Sequence, residues 1–310
     1  MREHALSLIT RRGFIRGVGA ALASGALLAG YGLGWEPMRK PRVTRYALTP
    51  PNWPVGLRLT IAVIADVHAC EPYMTAERIQ SICAQTNDLK ADLIVLLGDY
   101  IAGHRFQSRR VPEADWAAAL AGLRAPLGVH AILGNHDWWE DRAAQSRRKG
   151  PIASRLALET AGIPVYENDA VRLAKDGHAF WLAGLGDQIA FRNKGAKKLE
   201  RYTGVDDMSG MLGKVTDSAP IVLLAHEPDV FPRVPARVAV TLSGHTHGGQ
   251  VRVAGYSPVV PSRYGNRYAY GHIVEGERHL IVSGGLGCSI LPVRLGSPPE
   301  IVLVELAGTA

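Results

Sequence analysis

The chain has 310 residues, 47% of them hydrophobic and 20% charged, a balance that excludes a disordered or fibrous polypeptide. Its formal charge is +7, but residues 1–50 carry +6 of it and the rest only +1, which argues against a basic groove for a nucleic-acid backbone. Three cysteines (Cys70, Cys83 and Cys288) are too few for a disulfide framework, and a chain this long buries a core without one.

The first element is an address. Thr10-Arg11-Arg12-Gly13-Phe14-Ile15-Arg16 is followed by an uncharged stretch, residues 17–35, with six glycines. The basic run Met38-Arg39-Lys40-Pro41-Arg42 follows it. A positive segment before an apolar one reads as a secretory signal or anchor. The paired arginines resemble a twin-arginine export signal, with the twin-arginine export machinery as the implied partner. Ala21-Leu22-Ala23 has the small-x-small form of a cleavage site, but cutting there would leave a very short apolar region. The 19 uncharged residues come near the length that spans a bilayer, so an uncleaved anchor is also open. Either way the body is expected in the periplasm or on the outer face of the inner membrane. The basic residues just after the run are placed to meet anionic lipid.

Residues 41–54 hold four prolines. The expected organisation is a signal or anchor over 1–35, a basic proline-rich linker over 36–56 and a globular domain over 57–310. In that domain apolar β-rich runs recur, each ending in polar punctuation. Residues 57–65 lead to Asp66-Val67-His68, and 93–97 to Gly98-Asp99-Tyr100. Residues 129–133 lead to Gly134-Asn135-His136-Asp137, 221–225 to His226-Glu227-Pro228, and 238–242 to Ser243-Gly244-His245-Thr246-His247. Helical patterns cover 75–85 (N-capped by Thr75), 113–123 and 152–161, the last ended by Gly162 and Pro164. The alternation predicts an α/β fold with parallel strands, whose ligands bind beyond the strands' carboxyl ends. Short strands of a second sheet are expected at 170–173, 179–185, 250–253, 279–282 and 300–306.

The strand ends carry the chemistry. Asp66, His68, Asp99, Asn135, His226, His245 and His247 offer two carboxylates, one amide and four imidazoles. With one bridging carboxylate, each of two metal ions receives four protein ligands and keeps room for water or substrate. Asp99, alone at the end of a central strand, is the natural bridge. Two divalent ions, two aspartates and a hydroxide leave a net positive site, which attracts a phosphate ester. Asp-x-His or Gly-Asp alone is an ordinary turn. Gly-His-x-His is stronger, because alternate residues on an extended strand share a face.

In this order, these motifs resemble the calcineurin-like metallophosphoesterase superfamily over about residues 57–310. The resemblance implies a four-layer αββα sandwich and a two-metal site. It assigns Asp66, His68, Asp99 and His247 to one ion, and Asp99, Asn135, His226 and His245 to the other. It makes His136 the non-ligand catalytic histidine, acting as acid while a metal-activated hydroxide attacks phosphorus in line. Asp137 would orient His136 or merely close a turn. Gly284-Gly285-Leu286-Gly287, Pro292-Val293-Arg294 and Pro299-Glu300-Ile301 narrow the similarity to exported, membrane-associated bacterial phosphodiesterases, some similar to enzymes that cleave UDP-2,3-diacylglucosamine. No lipid-binding cap insert is evident.

The expected cofactors are two divalent ions, Mn2+, Fe2+ or Zn2+, because four imidazoles argue against magnesium or calcium. If folded export loads metal in the cytoplasm, manganese or iron is expected rather than copper. The expected substrate is a phosphodiester or pyrophosphate, lipid-linked or otherwise envelope-associated, with no nucleic-acid partner. A nuclease, a phosphomonoesterase and a non-catalytic metal- or phospholipid-binding protein are the alternatives. An amide hydrolase is disfavoured, since no His-Glu-x-x-His occurs. Among the remaining residues, Arg294 is a weak candidate for a phosphate contact. Gln250 and Arg252 could reach substrate, although a solvated strand face suits Arg252 better. Cys70 is expected at a loop edge and Cys83 in the core. Trp138-Trp139 form a leaving-group wall, a core pair or a membrane-interface belt.

Overall fold

The computed structural model describes residues 10–193, 195 and 201–308. Helix α1 (Arg11–Gly30) continues into a π-helical turn, Tyr31–Trp35. The first half then runs through β1 (Arg42–Leu48), β2 (Arg58–Ile64), β3 (Cys70–Glu71), α2 (Ala76–Asn87), β4 (Leu93–Leu96), β5 (Arg109–Arg110), α3 (Glu113–Leu120), β6 (Val129–Ala131), α4 (Asn135–Trp139), α5 (Arg142–Arg147) and α6 (Ala153–Thr160). The second half holds β7 (Asp169–Lys175), β8 (His178–Gly184), β9 (Phe191–Arg192), β10 (Tyr202–Thr203), α7 (Met208–Gly213), β11 (Ile221–Leu224), β12 (Val238–Ser243), β13 (Gly271–Glu275), β14 (Arg278–Val282) and β15 (Glu300–Ala307).

Two sheets form the frame. The first has strand order β1-β15-β2-β4-β6, the second β13-β14-β12-β11-β8-β7. β2, β4 and β6 run parallel, as do β8, β11, β12 and β14. Alternation along each strand builds the layers. On β2, Leu59, Ile61 and Val63 meet Phe180, Leu182, Val222 and Leu242 in the core between the sheets. Ala62 and Ile64 turn the other way, onto Ile79 and Ile82 of α2 and Trp116 of α3. Beyond the second sheet, Leu223, Val238 and Leu280 pack on Met211 of α7 and on Phe231. The result is the expected αββα order of layers. Each fully buried Leu, Ile or Phe contributes about 1.5–3 kcal/mol, so the core needs no covalent staple.

The helix pattern at 75–85 corresponds to α2, where Thr75 Oγ1 accepts from the Arg78 amide at 3.3 Å. Three expectations change. The strand expected over 300–306 in the second sheet is β15, which lies in the first sheet between β1 and β2. The stretch expected as linker over 36–56 contains β1, which pairs in parallel with β15 along its whole length, so the folded body begins before residue 57. The stretch 250–253 is no strand: Gln250 has φ 56°, and Val251 and Val253 make only isolated bridges, to Leu295 and Tyr256.

Helix α1 contains no buried residue. The continuous helix Arg11–Trp35 is long and apolar enough to cross a membrane.

Candidate metal centre

Every ligand expected from the sequence follows the carboxyl end of a strand in the two parallel sets. Asp66 and His68 follow β2, Asp99 follows β4 and Asn135 opens α4 after β6. His226 follows β11, and His245 and His247 follow β12. Facing sheets that end side by side bring these loops together, so residues 179 positions apart touch: the His245 amide donates to Asp66 Oδ1 at 2.9 Å.

The side chains form two adjoining groups. Potential ligand atoms of Asp66, His68 and His247 lie within 4.8 Å of one another, and so do those of Asp99, His226 and His245. Asp99 joins them. Its Oδ2 is 3.6 Å from His68 Nε2 and 3.3 Å from His226 Nε2. His68 Nε2 is 3.1 Å from His247 Nε2, and Asn135 Oδ1 is 2.8 Å from His245 Nδ1.

Backbone carbonyls set the tautomers. A carbonyl can only accept, so His68 Nδ1–H donates to Ile101 at 2.9 Å and His226 Nδ1–H to Leu97 at 2.6 Å. In the neutral imidazoles this turns the Nε2 lone pairs toward Asp99. His245 is held the opposite way: Nε2–H donates to Pro261 at 2.9 Å, which leaves Nδ1 facing Asn135.

This donor set fits divalent cations. Asp66 Oδ2 is buried without a hydrogen-bond partner, and His226 Nε2 has only the 3.3 Å approach of Asp99 Oδ2. Burial, with Asp99 close by, pushes the Asp66 carboxyl up to about 7. Burial pushes His68 down to about 4. It also opposes charge on His226, but Asp99 overrides it and holds that imidazole well above its ordinary value. Without a cation the cluster thus strains its own ionisation. Cations held by the two groups would give these buried atoms partners.

The backbone is strained at the same place. Asp66, His68, Asp99, His245 and His247 all have φ between 47° and 69°. A left-handed backbone at a non-glycine residue costs about 1–3 kcal/mol, and it persists only where surrounding structure enforces it. Here Asp137 is one enforcing group. It is fully buried, and its carboxylate accepts the amides of Asp99, Tyr100 and Gly134, each at 2.9 Å. It therefore clamps the Asp99 loop to the start of α4 and does not charge His136.

His136 sits beside the two groups and belongs to neither. Its amide donates to Asp99 Oδ1 at 2.7 Å. Its ring meets His68 edge-on with centroids 5.0 Å apart, and Nε2 lies 3.1 Å from Ser289 Oγ. Burial lowers its pKa to about 3, so in this state the ring is neutral. Trp139 packs on it at 5.2 Å, stacks on Tyr202 and carries the Arg192 guanidinium at 4.2 Å. Trp138 instead lies in the core against Phe191, so the tryptophan pair divides between wall and core.

Arg294 does not face substrate. It is fully buried, and its guanidinium donates to the carbonyls of Ser297 at 2.8 Å, Gly284 at 2.9 Å and Gly287 at 3.0 Å. It braces the glycine-rich tail behind His247. Gln250 also braces a loop, donating to the Leu291 and Val293 carbonyls at 2.8 Å. Arg252 lies over the Tyr270 ring at 5.0 Å. Cys70 and Cys83 are buried, each thiol pushed up by burial, and all three cysteines are free. Ser289 is the contact that the sequence did not announce: it lies 153 positions from His136 and belongs to no motif.

The sequence model of the calcineurin-like phosphoesterase family matches residues 59–249. The chain is 31% identical to the uncharacterized metallophosphoesterase YkuE of Bacillus subtilis, over 97% of this chain and 99% of that protein. It is 28% identical to an uncharacterized metallophosphoesterase of Aquifex aeolicus, over 86% of this chain and 92% of that protein. It is also 28% identical to phosphodiesterase YaeI of Escherichia coli, over 96% of this chain and all of that protein.

Proposed function

The chain belongs to the calcineurin-like phosphoesterase family, and from that premise we propose that it is a two-metal phosphodiesterase or pyrophosphohydrolase of the cell envelope. The observation that carries the reading is Asp99, whose one carboxylate oxygen serves both histidine groups.

Asp66, His68, Asp99 and His247 would hold one ion, and Asp99, Asn135, His226 and His245 the other. Such ions lower the pKa of water toward neutrality and neutralise the charge growing on a phosphoryl group. The protein does the rest by placement. Carbonyls of Leu97, Ile101 and Pro261 fix three imidazoles, and Asp137 fixes the loop carrying Asp99. A phosphoryl or leaving-group oxygen would replace Ser289 as the partner of His136 Nε2. A neutral imidazole with its proton on Nε2 can donate that hydrogen bond. Full proton transfer would require the anionic substrate to raise the ring's pKa. That proton transfer contributes about 10²–10⁴-fold.

The similarity to a phosphodiesterase and the Trp139–Tyr202 wall beside His136 favour a diester over a monoester. The near-neutral body weighs against a nuclease. Manganese, iron and zinc all suit the ligands. The membrane-length helix supports export and anchoring, with the twin arginines as the signal.

The test is hydrolysis of bis-p-nitrophenyl phosphate against p-nitrophenyl phosphate by the manganese-loaded full chain. Diester turnover that disappears in Asp99→Asn supports the reading. A manganese-loaded protein inactive on both esters contradicts it.

A further inference from the structure

We propose that the loops forming the mouth of the metal centre dock on the lipid bilayer, so that the centre takes phosphodiesters whose phosphate lies at headgroup depth. This deepens the phosphodiesterase reading and rests on it.

Three observations converge. First, the membrane-length helix is fastened to an active-site loop. The Arg294 amide donates to the Gly32 carbonyl at 2.9 Å, and a Cβ on Gly32 would stand 3.4 Å from Val293 Cγ2. The Gly296 amide donates to Glu36 Oε2 at 3.0 Å, and Glu36 is buried although it directly follows the helix. Arg78 extends the clamp, donating to the Pro37 and Arg39 carbonyls at 2.7 and 3.0 Å. The exit of the anchor and the loop over 288–296 are therefore one hydrogen-bonded unit.

Second, that loop reaches the reaction centre. Its Ser289 lies 3.1 Å from His136 Nε2, and the next two residues, Ile290 and Leu291, are 74% and 46% exposed. Third, the neighbouring loop carries matching side chains. Gln250 ties it to the carbonyls of Leu291 and Val293, Pro261 accepts from His245, and Val253, Tyr256 and Val259 between them are 63%, 63% and 72% exposed.

Exposed apolar residues on two loops joined to each other need a partner. The attached helix says which one. With that helix in a bilayer, Tyr31 and Trp35 at its end suit the interface, and both are exposed. The clamp then holds Ile290 and Leu291 within a few residues of that depth. Arg39 and Lys40, just past the helix, add attraction to anionic headgroups. A soluble protein partner would gain nothing from the fastening of the helix to the loop.

Two measurements on the full chain in phospholipid vesicles test this. In the first, an environment-sensitive fluorophore is placed on Ile290→Cys, the native cysteines being buried. Brominated lipids should quench it. The same label on Val274→Cys should not respond. Val274 is exposed near the β13–β14 turn, at the end of the sheet opposite the metal loops. No quenching at 290, or equal quenching at both positions, overturns the docking. In the second, Ile290→Ser/Leu291→Ser is assayed on bis-p-nitrophenyl phosphate and on a diacylglycerol p-nitrophenyl phosphodiester in the same vesicles. The expected result is at least about a tenfold loss on the lipid diester and less than about a threefold change on the soluble one. Equal loss on both, or no loss on either, overturns it. Quenching at 290 in a wild-type protein that hydrolyses neither diester would leave the docking standing and defeat the phosphodiesterase reading.

Discussion

Gly98→Ala isolates the geometry on which the metal centre depends. Gly98 precedes Asp99 and has φ +91°. A Cβ there would lie 2.3 Å from the Gly134 amide nitrogen, 2.6 Å from the Leu133 carbonyl carbon and 2.8 Å from Gly134 Cα. All three are backbone atoms, so no side chain can rotate away. Ordinary contact begins near 3.4 Å, so the Asp99 and Asn135 loops must part by about 1.1 Å. Metal–ligand distances tolerate about 0.2 Å. The left-handed backbone adds about 1–2 kcal/mol and the overpacking about 1–3, so the variant should lose about 2–5 kcal/mol of stability. Misplacement by about 1 Å should cost about 10²-fold in rate. The assay is manganese per chain after gel filtration, with turnover of a diester and a thermal melt. Gly162→Ala is the control: its φ is +80°, yet nothing lies within 4 Å of the added methyl group. It should lose only the backbone cost of about 1–2 kcal/mol and keep metal and rate. A Gly98→Ala protein with two ions per chain and wild-type turnover would refute the close-approach argument.

Other residues separate in the same way. His136→Gln should retain both metals and slow a poor leaving group by about 10²–10⁴-fold, with little effect on p-nitrophenolate departure; equal rates on both would remove its role at the leaving oxygen. Arg294→Lys should lower stability by about 2–4 kcal/mol, because one ammonium nitrogen cannot reach the carbonyls that the planar guanidinium reaches from Nε, Nη1 and Nη2, and should leave KM within about twofold; a large KM rise in a protein of normal melting temperature would return Arg294 to the substrate side. Asp137→Ala removes the acceptor of three buried amides, so metal affinity should fall by about 10–100-fold while His136 stays in place; unchanged affinity in a metal titration would show that the clamp is dispensable.

The candidate ligands were legible because each motif stands directly after an apolar β-run, and a parallel sheet gathers such ends on one side. Their division between two ions came from the family resemblance, and the folded loops place the same residues together. Other features were hidden for identifiable reasons. β1 reads Arg-Val-Thr-Arg-Tyr-Ala-Leu between prolines and is half-exposed on a sheet edge, so its composition imitates a linker. The left-handed backbones of Asp66, His68 and Asp99 leave no glycine to mark them. Ser289 meets His136 only through the fold, from the segment between β14 and β15. Arg294 looked available in a proline-flanked loop, and only packing reveals that three carbonyls consume its donors.

The central claim is that one carboxylate, Asp99, joins two metal sites. Anomalous diffraction from crystals soaked in manganese tests it most directly. Two peaks about 3.5–4 Å apart are expected, one beside Asp66, His68 and His247, the other beside Asn135, His226 and His245, with Asp99 between them. A single peak, or two peaks that do not share Asp99, would contradict the account.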